Sequence, residues 1–212
     1  MNENKAFEID FTEAKNIASL PERVYPITQN EIVRLENIWG FAAPNKNNSF
    51  SGPCALGTVL HFHSIGWSHL PKERNGRPVN DPYIEELIRW SQAPGTLAGD
   101  MGTTPGMMLA SLRKAGLRAQ WYSGSSVEKT LQLIKYEIGQ GRPVIVLVNH
   151  RQVGQPVSVE WQVVFKTSST GIYTKYCSYA DAEKAWTFEE FSRCLQMEME
   201  ALSCCVITAE KD

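Results

Sequence analysis

The chain has 212 residues, of which 42% are hydrophobic and 21% charged, and its 21 basic and 23 acidic side chains leave a formal net charge of -2. A globular chain of this length buries about 70% of its unfolded surface and needs neither disulfide nor metal to fold. Near-balanced charge without a long basic block argues against nucleic acid as a partner. The longest aliphatic run, Val144 to Val148, falls far short of the roughly 20 apolar residues of a membrane-spanning helix, so no membrane partner is expected either.

The N-terminal stretch MNENKAFEIDFTEAK is polar and acidic, unlike a secretory signal, and the expected location is cytoplasmic. Residues 1–44 read as an N-terminal extension with one helix. That helix spans residues 29–39, where Ile32, Leu35, Ile38 and Trp39 recur at helical spacing behind Asn30 as cap and before Gly40 as stop. A polar loop from Ala43 to Phe50 leads into Ser51-Gly52-Pro53-Cys54, and proline there predicts a helix from Pro53 to about Ile65. Residues 66–82 read as a surface excursion, and DPYIEELIRWS after it as an amphipathic helix. Thr104-Pro105 is a cap-and-proline start for a helix that carries Met108, Leu109 and Leu112 and stops near Gly116.

A short strand is expected from Gly116 to Tyr122, then a helix from Val127 to Ile138. Pro143–Asn149, Ser158–Lys166 and Gly171–Ser178 read as successive antiparallel strands. The Thr-Phe-Glu-Glu pattern at Thr187 is a capping box opening a helix through Phe191 and Leu195, and Leu202–Thr208 reads as a closing strand. Helices followed by an antiparallel sheet make an α+β fold in a domain spanning residues 45–212.

Four segments in this order carry a resemblance: SGPCALGTVLHF, GTTPGMMLASLRKAGL, the strands GRPVIVLVN with VEWQVVFK and GIYTKY, and AWTFEEFSRCL. Together they resemble the papain-like cysteine peptidases that process bacteriocin leaders. The resemblance implies helices packed on an antiparallel sheet, with a nucleophile at the start of the central helix, where unpaired N–H groups and the helix dipole favour a thiolate. It also implies an imidazole base, a group orienting it and a side-chain amide for the oxyanion.

The chain departs from that pattern at each triad position. Ser51 stands directly before Gly-Pro, where the family has its cysteine, and Cys54 lies three residues later, about 4.5 Å along a helix axis. Asn48 or Asn45 would supply the amide, depending on whether Cys54 or Ser51 is the nucleophile. Glu160-Trp161 replaces the family's His-Trp pair, and the third position falls near Tyr176 and Cys177. Of the four histidines, His150 is the candidate base, because an antiparallel hairpin would bring the end of its strand beside Glu160. His61 is about 10 Å along the helix from Cys54, His63 lies off that face, and His69 falls in the excursion.

No metal is expected, since His61 and His63 have no ligand cluster around them. The five cysteines contain no CxxC pair for zinc or redox work; adjacent Cys204 and Cys205 read as small buried hydrophobes in a strand, and Met107 and Met108 as core filling. The glycine-rich stretch Gly95 to Gly106 lacks a phosphate-loop lysine, so no nucleotide cofactor is expected. Two functional readings follow. One is a thiol hydrolase or acyl-transfer enzyme acting on peptide or amide bonds, with Cys54 as nucleophile, His150 as base, Glu160 orienting it and Asn48 in the oxyanion hole. The other is a catalytically inactive peptidase-like module that holds a peptide or protein partner.

Overall fold

Proline and glycine set the boundaries of the elements in the computed structural model, which describes residues 18–20, 51–65, 103–154, 159–175 and 183–211. In chain order these are strand β1 (Ala18–Ser19), helix α1 (Ser51–Phe62), helix α2 (Pro105–Lys114), β2 (Arg118–Tyr122), α3 (Val127–Gly139), β3 (Val144–Asn149), β4 (Val159–Thr167), β5 (Gly171–Lys175), β6 (Glu183–Thr187), α4 (Phe188–Cys194) and β7 (Val206–Glu210). Short 3-10 turns at His150–Val153 and Glu200–Leu202 link β3 to β4 and α4 to β7. The expected extension helix, the helix after residue 80, His69, Asn45, Asn48, Tyr176 and Cys177 lie outside the described residues.

Helices α2, α3 and α4 each start behind a side-chain cap. Thr104 Oγ1 accepts from the Met107 N–H at 3.3 Å, with Pro105 opening α2. The Ser126 hydroxyl accepts from Lys129 at the start of α3. Thr187 and Glu190 complete the reciprocal capping box of α4. Gly116 takes the left-handed conformation, φ +84°, that ends α2.

Three of the differences from expectation have a clear physical reason. Helix α1 begins at Ser51, two residues early, because proline is tolerated throughout a first turn whose N–H groups have no intrahelical partner. β6 is an unexpected strand: it is short, at a sheet edge, and turns only Trp186 fully inward, so its hydrophobic signal is slight. The closing strand starts at Val206, not Leu202, because Cys204 adopts a positive φ of 54° that breaks the extended run.

Among the described residues, seven strands form one antiparallel sheet in the order β2-β7-β3-β4-β5-β6, with β1 paired to β4 off this path. Side chains alternate across it. On the first face, Ile145, Leu147, Trp161, Val163, Cys205 and Ile207 pack with Cys54, Leu56, Val59 and Leu60 of α1 and Met108 and Leu112 of α2. On the second face, Val144, Val146, Val148, Val164, Ile172 and Trp186 pack with Leu133, Ile134 and Ile138 of α3 and Phe191 and Cys194 of α4. Strand β3 is therefore buried along its whole length and reads as an unbroken aliphatic run. No helix among the described residues is long and apolar enough to cross a membrane.

Candidate functional site

The first turn of α1 meets the sheet at Trp161. Ser51, Gly52, Pro53 and Cys54 are all buried, and the Ser51 hydroxyl accepts a hydrogen bond from the Trp161 backbone N–H at 3.1 Å. The Trp161 indole N–H donates to the Thr103 carbonyl at 2.8 Å, drawing the residue just before α2 onto the same spot. Thr103 also explains Gly52: a Cβ on that residue would lie 2.2 Å from Thr103 Oγ1, closer than any real contact. Ser51, Gly52, Thr103 and Trp161 thus close the mouth of the helix.

Cys54 sits one turn further in. It is fully buried within the first-face cluster that holds Trp161, and its carbonyl accepts from the Thr58 hydroxyl at 2.9 Å.

A separate polar chain occupies the second face. Trp186 Nε1 donates to Thr174 Oγ1 at 3.0 Å, and Thr174 donates to Gln162 Oε1 at 2.7 Å. This fixes the amide so that its nitrogen points toward His150 Nε2, 3.1 Å away. His150 Nε2 is also 3.1 Å from Glu160 Oε2. A proton on Nε2 would be donated to the carboxylate, and a bare Nε2 would accept from the amide instead. His150 and Glu160 are 0% and 2% exposed, and the imidazole also packs against Trp186, with ring centroids 5.5 Å apart.

The expected pair of His150 and Glu160 is brought together, because β3 and β4 pair with Val148 opposite Glu160 and Asn149 opposite Val159. Cys54 is not brought to them. Glu160 shares its face with Gln162 and Val164, whereas Cys54 packs with Trp161 and Val163 on the other, so the sheet stands between. The strand residue facing the start of α1 is Trp161. The two-residue period of VEWQVVF already separates Trp161 and Val163 from Glu160 and Gln162; only the docking of α1 decides which set meets the helix.

The other described cysteines are poorly disposed to react. Burial pushes the Cys205 thiol up to about 12 and raises those of Cys204 and Cys194. Burial lowers Lys184, an effect opposed by Cys194, Glu190 and Glu160, and its ammonium lies 3.7 Å above the Trp186 ring. Among the described residues no group of three His, Cys, Asp or Glu is placed to hold a metal ion.

No family model matches the sequence, and no curated protein does. Solved structures match by fold. A C39-like peptidase from Bacillus anthracis superposes with a TM-score of 0.57 at 13% identity, covering 93% of this chain and 99% of that one. The peptidase domain of Streptococcus ComA, a bi-functional ABC transporter of a quorum-sensing pathway, superposes with a TM-score of 0.50 at 15% identity, over 80% of this chain and 96% of that domain. The fold is that of the papain-like, C39-type peptidase domains, helices packed on an antiparallel sheet.

Proposed function

We propose that this chain is a peptidase-fold module that holds a peptide or protein partner without thiol chemistry at Cys54. The observation that carries this reading is Trp161. A nucleophile at the start of α1 needs a base on the facing strand, and the residue facing it is an indole, which can only donate a hydrogen bond and already donates it to Thr103. Cys54 itself is fully buried in the first-face core, on the opposite side of the sheet from the His150–Glu160 pair.

The rival reading is thiol-dependent hydrolysis or acyl transfer with Cys54, His150, Glu160 and Asn48. One observation favours it, the 3.1 Å contact that supplies an imidazole already oriented by a carboxylate. It requires that imidazole to leave a fully buried place on the second face and reach a sulfur on the first.

Alkylation resolved cysteine by cysteine separates the two. On the binding reading, iodoacetamide modifies Cys54 in the native chain at least about tenfold more slowly than in the denatured chain. Cys54 modified faster than a free thiol at pH 6, or turnover of any amide or peptide that vanishes in Cys54→Ala, would overturn it.

A further inference from the structure

We draw no further inference here: the strongest candidate, the apolar rim of the first face where Trp121 on β2 is exposed opposite Ile207 and where Met197 and Leu202 pack only partly buried against the same core, carries nothing because nothing in the structure shows what covers it.

Discussion

Gly52 decides whether the helix mouth can close at all. With Thr103 Oγ1 and Cβ 2.2 and 2.3 Å from where its Cβ would be, Gly52→Ala is expected to destabilise the chain by about 1–3 kcal/mol through overpacking. Urea midpoints would show it, and Thr103→Gly in the same chain should recover part of the loss. Cys205 makes a different prediction. Its thiol stays protonated up to about pH 12 when folded, against an ordinary value of 9.0, so between those limits the unfolded state binds fewer protons. Stability is present in full below about pH 9 and falls as pH rises toward 12, with a slope of up to about 1.4 kcal/mol per unit. Cys205→Ala should flatten that slope in alkaline denaturant titrations; an unchanged slope would reassign it to Cys194 and Cys204, whose thiols are raised in the same direction.

Among the elements, α4 is the one whose start depends most visibly on local chemistry. Its seven residues are opened by the reciprocal bonds of Thr187 and Glu190, and Thr187→Ala should cost about 0.5–2 kcal/mol, read as a lowered thermal midpoint. The same box was legible in Thr-Phe-Glu-Glu because capping is a matter of four adjacent residues. His150 beside Glu160 was legible too, since a hairpin turn places strand ends together whatever lies around them. Trp161 was not. Its role depends on which face α1 covers, and that is a contact between residues 110 positions apart. β6 escaped notice for a related reason: an edge strand with one inward tryptophan owes its place to β5 rather than to its own pattern.

For the molecule as a whole, the α+β arrangement was written in the switch from helical to strand periodicity after residue 140, and the two-faced sheet with helices on both sides realises it. What periodicity could not convey is the strand order. β7, the latest strand in the sequence, sits between β2 and β3, joined to β2 along five residue pairs and to β3 along three. Nearby, Glu210 meets Arg118 at one end of β2 and Arg142 at the turn before β3. Until residues 206–210 have been synthesised, β2 has no strand beside it among the described residues, and the first-face helices have only part of the floor they rest on. A nascent chain can cap its helices and close the β3–β4 hairpin early, but β2 joins the sheet only once β7 arrives as the keystone, which predicts slow, late-committing folding and a strong penalty for truncation before residue 206.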